Sequence, residues 1–187
     1  MPEFHTLSLT SALNEQLIAG EGEPASAVGI DGYVIPRAEW NDGVARLAKV
    51  PPFSFAAEGN DHLFCDGQTL PLSPGVRKLH FLGFSYWGDA FDEVAVRLSD
   101  GRMKNYRLVF SDWSHTAEEI ASDTAPEVPE NSLFPAFSVF TAEENRRELF
   151  FDRFTMTFAP EDQPQSARLP FNLFLEIFAV TEETSDE

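Results

Sequence analysis

The sequence has a single cysteine, Cys65, among 187 residues. One cysteine cannot form a disulfide within the chain. A catalytic thiol would also need a paired histidine in an electropositive setting. His62 is near Cys65 in sequence, but a separation of three residues does not by itself bring the two side chains together. We therefore predict a buried, unreactive thiol.

Long apolar runs and basic residues are also scarce. No apolar run approaches the roughly 20 residues that a membrane-spanning helix needs, and the N-terminus lacks the basic start and apolar region of a secretory signal. The chain has 13 basic residues against 31 acidic ones, for a formal net charge of −18. A surface this acidic repels nucleic-acid phosphates and anionic membranes. We expect a cytoplasmic protein that binds neither nucleic acid nor membrane.

Motifs for catalysis or metal binding are missing as well. None of the four histidines is spaced as His-x-His or His-Glu-x-x-His. His80 lies in an apolar run, where we expect a half-buried residue with satisfied hydrogen bonds, and the other three read as loop or terminal histidines. The stretch Gly83–Gly88 nearly matches the nucleophile elbow around Ser85, but Trp87 occupies the position that requires glycine. We therefore predict that the chain is not an enzyme.

The clearest pattern that is present is a hairpin. Apolar and polar residues alternate in Val94–Leu98 and again in Tyr106–Phe110, on either side of Asp100-Gly101. This alternation predicts two antiparallel strands joined by a tight primed turn, in which Asp100 and Gly101 both have positive φ. One face of the hairpin is apolar and must pack against another layer, such as a second sheet. The other face carries Arg97, Arg102 and Arg107.

Similar patterns and 18 phenylalanines indicate further short strands. We predict a single domain over residues 1–187, an all-β antiparallel sandwich of jelly-roll type with one or two short helices. Leu7–Ile18 fits either a first strand or a helical turn, and residues 183–187 read as a short disordered acidic tail. The other predicted strands are Phe53–Phe55, Phe137–Phe140, Leu149–Phe158 and Leu173–Thr181, and the predicted helices are Arg37–Ala48 and one turn at Thr116–Ser122.

A set of short motifs resembles a known module. The motifs are Ile30–Tyr33, Pro52-Phe53, Asp66–Leu72, Leu79–Gly83, Ser99–Gly101, Ser111–Trp113 and Leu175–Glu182. In this order they resemble a β-sandwich module found beside the catalytic domains of some bacterial glycoside hydrolases, including α-mannosidase-like and β-galactosidase-like enzymes. That module is similar to the galactose-binding-domain-like jelly roll. The resemblance implies a jelly-roll fold and a role as an accessory module.

The stretch Tyr86–Asp89 predicts a carbohydrate site. Sugars stack their C–H faces on Trp and Tyr, while their hydroxyl groups bind polar side chains. We therefore predict a non-catalytic carbohydrate-binding module, standing alone, whose ligand contacts are Tyr86, Trp87 and Asp89. In the alternative interpretation, Trp87 and Trp113 plug the ends of the sandwich. Exposure of Trp87 beside an open groove would distinguish the two.

A second functional hypothesis is a structural or protein-interaction subunit. Strand Leu149–Phe158 has aromatic residues on both faces, as expected when both are covered, so the chain would self-associate as a homo-oligomer through a Phe-rich sheet face. No cofactor is predicted. A structural calcium is an open alternative, because Asp31 lies in the loop where resembling modules sometimes carry one, although Ca²⁺ needs six to eight oxygen ligands. The carboxylates Asp89, Asp92 and Glu93 are read as a solvated loop.

Overall fold

A computed structural model describes residues 2–20, 30–115 and 131–185. Within these ranges the chain consists mainly of strands, with one α-helix, α1 (Arg37–Arg46), and a short 3-10 helix, Glu143–Asn145. The strands are β1 (Glu3–Thr6), β2 (Leu63–Asp66), β3 (Thr69–Pro71), β4 (Val76–Ser85), β5 (Ala90–Leu98), β6 (Met103–Phe110), β7 (Leu133–Phe140), β8 (Glu148–Thr157), β9 (Pro164–Arg168) and β10 (Phe171–Thr184).

The strands form two sheets. The first has the order β1-β10-β4-β8-β7, with β2 pairing the same edge of β10 as β1; the second has the order β3-β9-β5-β6. All of these pairings are antiparallel. The chain passes repeatedly from one sheet to the other, so most neighbouring strands are distant in sequence. This confirms the predicted all-β antiparallel sandwich.

The space between the sheets holds the main core. Val94, Val96 and Leu108 are fully buried there, as the alternation in β5 and β6 predicts. Phe81 and Phe154 meet them from the first sheet. Burial of an aliphatic or aromatic side chain contributes about 1.5–3 kcal/mol, so the two apolar faces hold the layers together.

The hairpin between β5 and β6 has the predicted strands but a different turn. The backbone N–H of Leu98 donates to Arg102 (2.9 Å), and that of Gly101 donates to Leu98 (3.0 Å). Gly101 has a positive φ of 85°, and Asp100 does not. This is an ordinary turn followed by a glycine bulge, so the predicted primed turn at Asp100-Gly101 is wrong.

The primed geometry occurs earlier in the chain. Asp31 (φ 49°) and Gly32 (φ 80°) both lie in the left-handed region, and the flanking Ile30 and Tyr33 exchange backbone hydrogen bonds of 3.1 and 2.8 Å. Asp-Gly is the preferred pair for such a turn because both residues tolerate positive φ. The turn places Asp31 and Tyr33 side by side at one end of the sandwich.

A second core covers the outer face of the first sheet. Helix α1, predicted from sequence, packs on β7 and buries Trp40 against the rings of Phe137, Phe151 and Phe178 at 5.4–5.6 Å. The aromatic residues on both faces of β8 are therefore covered within the chain itself. The self-association hypothesis loses the observation on which it was based.

Two local predictions differ from the structure. Phe53–Phe55 is not a strand, although Phe55 packs on Trp40. Of the two interpretations of Leu7–Ile18, the structure agrees with a turn, in which the Leu13 N–H donates to the Leu9 carbonyl (3.0 Å), whereas the first strand, β1, ends at Thr6.

The predicted tail at 183–187 also begins too early, because β10 continues to Thr184. Glu183 belongs to this strand and binds Lys78 (2.7 Å) and His80 (3.0 Å). The predicted helical turn at Thr116–Ser122 lies outside the described residues. Within those residues no helix is both long and apolar enough to cross a membrane.

Candidate functional site

An open cleft of about 460 Å³ lies at one end of the sandwich. Four separate parts of the chain form it: the Asp31-Gly32 turn, the connection from β4 to β5, the residues after β6, and the residues before β8. Its described lining residues are Asp31, Tyr33, Tyr86, Trp87, Asp112, Trp113, Ser114 and Arg147. Two of the three predicted ligand contacts, Tyr86 and Trp87, are therefore on one surface.

Trp87 is the exposed aromatic residue of this cleft. Its side chain is 73% exposed, and its backbone has a φ of 70°. Positive φ is uncommon outside glycine and costs on the order of 1–3 kcal/mol, so it persists only where the surroundings enforce it. The alternative reading, in which Trp87 plugs the sandwich, is wrong.

The turn that presents Trp87 is fixed on both sides. The Ser85 hydroxyl donates to the carbonyl of Gly88 (2.7 Å), and the Asp112 carboxylate accepts the Gly88 N–H. Ser85 is itself bound to the segment after β6, because its carbonyl accepts the Trp113 N–H at 2.8 Å. These contacts hold Trp87 outward on a braced turn rather than on a free loop.

The floor of the cleft is aromatic. Trp113 is 4% exposed, as expected from the interpretation in which this tryptophan plugs one end of the sandwich. It packs edge-on against Tyr33 (5.3 Å between ring centroids) and Tyr86 (4.6 Å), and Tyr86 contacts Trp87 at 5.9 Å. A continuous set of ring contacts therefore runs from Tyr33 to Trp87.

Tyr86 donates its hydroxyl hydrogen bond to the Asp31 carboxylate. Partial burial, followed by this hydrogen bond to an anion, raises the pKa of Tyr86 to about 12, because the phenolate would lose both water and the bond. Tyr86 therefore remains a neutral donor that orients Asp31. Among the described residues, no group of three or more His, Cys, Asp or Glu side chains could hold a metal ion.

Asp89, the third predicted contact, does not line the cleft. Its carboxylate accepts the backbone N–H of Asp112 (2.8 Å). Asp112 in turn accepts the N–H of Ser114 (2.8 Å) and its hydroxyl. Asp89 is therefore an exposed residue that braces the Asp112 backbone beside the cleft, and its assignment as a ligand contact stays a prediction.

Arg147 is a lining residue that the sequence reasoning missed. Its side chain is exposed, and its guanidinium carbon lies 5.2 Å from the centre of the Tyr33 ring. Thr141 fixes the backbone of Arg147 through hydrogen bonds of 2.8 and 2.9 Å. No local motif marks this position, because the residues that surround Arg147 are more than thirty positions away in sequence.

The two residues that the sequence analysis weighed as nucleophiles, Ser85 and Cys65, are both buried. Ser85 is fully buried and commits its hydroxyl to Gly88. Cys65 is also fully buried, and burial raises its pKa well above the usual range. His80 is satisfied by Thr155 (3.0 Å) and Glu183 (3.0 Å), as predicted.

His62 differs from its prediction as a loop histidine. It is completely buried, stacks on Phe178 at 4.7 Å, and lies between Asp61 (2.7 Å) and Glu176 (3.4 Å). Asp61 also accepts the N–H groups of Leu17 and Ile18. The side chains of this cluster are at most 5% exposed, so no substrate reaches it and its role is structural.

A second cleft of about 490 Å³ lies beside Arg77 and Asp162. The charged groups there are occupied by the protein itself. Asp162 accepts bonds from Lys104 (2.6 Å) and Tyr106 (2.5 Å), and Arg77 donates to the carbonyl of Pro160 (2.8 Å). This cleft also has no exposed aromatic platform among its described residues, so the cleft beside Trp87 is the better candidate.

Comparison of the chain with protein-family models and with curated proteins found no match. The case for a function therefore rests on the geometry of the cleft beside Trp87.

Proposed function

We propose that the chain binds carbohydrate, without catalysis, at the cleft beside Trp87. The observation that carries the proposal is the 73% exposure of this tryptophan on a braced turn, at the rim of an open cleft. Exposing a large apolar ring to water is unfavourable, and aromatic side chains that line a cleft are typical of ligand-binding sites.

The other lining groups fit the same ligand class. A sugar ring lying on Trp87 would bury its C–H face against the indole, and an aromatic contact of this kind contributes about 0.5–1.5 kcal/mol beyond burial. Among the described lining residues, Asp31 Oδ1 and the Arg147 guanidinium are two charged groups that would bind sugar hydroxyls, each such bond being worth about 1.5–3 kcal/mol. The cleft volume of about 460 Å³ is in the range of small-ligand sites.

A second candidate is protein association through another apolar surface. Phe171, Leu173 and Phe174, at the start of β10, are 70%, 60% and 51% exposed. This surface adjoins the cleft, because the Phe174 carbonyl accepts the Tyr86 N–H at 2.8 Å. Measurement of the mass in solution by light scattering tests this candidate directly. A monomer at tens of micromolar would rule out self-association there.

The carbohydrate proposal is tested by a glycan array followed by calorimetry on the strongest ligand. Trp87→Ala should weaken binding tenfold or more, equivalent to about 1.4 kcal/mol, with an almost unchanged melting temperature. Phe91→Ala is the matched control, because Phe91 is also exposed (59%) but lies outside the cleft. Loss of several degrees of stability in Trp87→Ala, or the absence of any glycan ligand, would overturn the proposal.

A further inference from the structure

The charges in the cleft are unusually arranged for so acidic a chain. Acidic residues outnumber basic ones by 31 to 13, so a basic side chain in a cleft that also contains Asp31 and Asp112 would be expected to pair with a carboxylate. Both aspartates are occupied by other donors. Asp31 accepts the Tyr86 hydroxyl, and Asp112 accepts from Gly88 and Ser114.

Among the residues that the structure describes, Arg147 has no carboxylate partner. Within the described part of the chain it forms no ion pair, and its guanidinium instead lies over the ring of Tyr33. The neighbouring Arg146 shows the contrast, because it binds Glu143 and lies over Phe140. The ring under Arg147 restricts the orientation of the guanidinium plane but leaves its five N–H donors free.

We infer that the ligand of the cleft is an acidic sugar, whose carboxylate binds Arg147 while its ring lies on the aromatic surface that leads to Trp87. This inference rests on the proposed carbohydrate function. A guanidinium binds a carboxylate through two parallel hydrogen bonds, which a neutral hydroxyl cannot match. Stacking on Tyr33 already limits the motion of Arg147, so less side-chain entropy is lost on binding.

Asp31 and Asp112 determine which way round the acidic sugar lies in the cleft. An anionic group near Asp31 or Asp112 would be repelled, and a hydroxyl group there would be attracted. The carboxylate is therefore directed to the Arg147 end, with the hydroxyls toward Asp31. The overall charge of −18 does not prevent this, because at physiological salt charges more than about 8 Å apart are largely screened.

The test uses acidic oligosaccharides and their neutral counterparts of equal length. The probes are oligogalacturonate, oligomannuronate and the trisaccharide sialyllactose, compared with galactose oligomers, mannose oligomers and the neutral trisaccharide galactosyllactose, by calorimetry at physiological salt. At least one acidic probe should bind tenfold or more tightly than its neutral counterpart. Arg147→Gln should reduce that affinity to the neutral level, and Arg147→Lys should retain part of the preference.

Arg146→Gln is the control, since it changes the net charge equally, one residue away, outside the cleft lining. It should leave the preference unchanged. Neutral sugars that bind as well as acidic ones, with no effect of Arg147→Gln, would overturn this inference and leave the carbohydrate proposal intact. An equal loss in Arg146→Gln and Arg147→Gln would also overturn it, since the effect would then be one of net charge. If neither acidic nor neutral sugars bind, the proposed function fails together with it.

Discussion

Glu176 makes the stability of this protein depend on pH near neutrality. Glu176 is a 4% exposed residue of β10, and its carboxylate lies 3.4 Å from the ring of the ionisable residue His62. Burial raises its pKa from the ordinary value of 4.5 to about 7; the charge of His62 acts in the opposite direction, and Glu15 adds to the increase. The neutral acid is favoured because a buried carboxylate loses its hydration.

The sign and size of this pH dependence of the unfolding free energy follow from the difference between the pKa of Glu176 in the folded and in the unfolded state. Because the pKa is higher in the folded than in the unfolded state, the contribution of Glu176 to stability is fully present below pH 4.5 and is lost as pH rises through about 7. Each unit of pKa difference corresponds to about 1.4 kcal/mol, so the full loss is about 3 kcal/mol. Most of it falls between pH 5 and pH 8.

The experiment compares urea unfolding of the wild type and Glu176→Gln at several pH values from 5 to 8. Glutamine has nearly the same shape and does not ionise, so the difference in unfolding free energy between the two proteins isolates this carboxyl. From pH 5 to pH 8, the unfolding free energy of the wild type should fall by about 2–3 kcal/mol relative to that of the variant. Glu58→Gln, at an exposed position, is the control for the change in net charge.

One result would refute the reasoning. If the wild type keeps a constant difference from Glu176→Gln, or gains stability as pH rises, then the folded state does not favour the protonated acid. Glu176 and His62 would then form an ion pair within the cluster with Asp61. The difference in unfolding free energy between the wild type and Glu58→Gln should not change with pH. If it changes as much as the difference for Glu176→Gln, the net charge, and not burial, causes the pH dependence.

Two further predictions concern the cores. Trp40→Ala should lower the free energy of unfolding by about 3–5 kcal/mol, because Trp40 is 3% exposed and anchors helix α1 among phenylalanine rings. Urea unfolding measures this loss, and a loss below about 1 kcal/mol would show that α1 does not need this anchor. Cys65 should react with a thiol reagent no faster than the protein unfolds, because its side chain is fully buried and its pKa is raised. Rapid labelling under native conditions would contradict this burial, and labelling of the urea-unfolded chain is the positive control.

The sequence predicted those features that depend on local periodicity. Alternation in Val94–Leu98 indicated the buried face of β5, and the spacing of Trp40, Val44 and Leu47 indicated helix α1, because each pattern places its apolar residues on one side of a single element. The turn at Asp100-Gly101 was mispredicted because Asp-Gly is compatible with more than one turn type. The register in which β5 and β6 pair decides between a primed turn and an ordinary turn with a glycine bulge. That register depends on contacts between the strands and not on the two turn residues.

Features that depend on tertiary contacts were not predictable in this way. His62 was read as a loop histidine, yet it is fully buried and lies against Glu176, which follows it by more than a hundred residues. The same limit applied to the aromatic residues of β8. Their presence on both faces correctly indicated that both are covered, but the periodicity of one strand cannot say whether a partner chain or helix α1 covers it.

The cleft shows why the sequence predicted its centre and missed its edges. Tyr86 and Trp87 are consecutive and lie between two predicted strands, so their position at the rim followed from local pattern. Asp89 was assigned by proximity in sequence; it follows the turn and accepts the backbone N–H of Asp112, outside the described lining of the cleft. Arg147 is brought there only by the pairing of distant strands. A cleft assembled from four separated segments is therefore predictable from sequence where two of its lining residues are adjacent, as Tyr86 and Trp87 are, and its charged groups must be read from the fold.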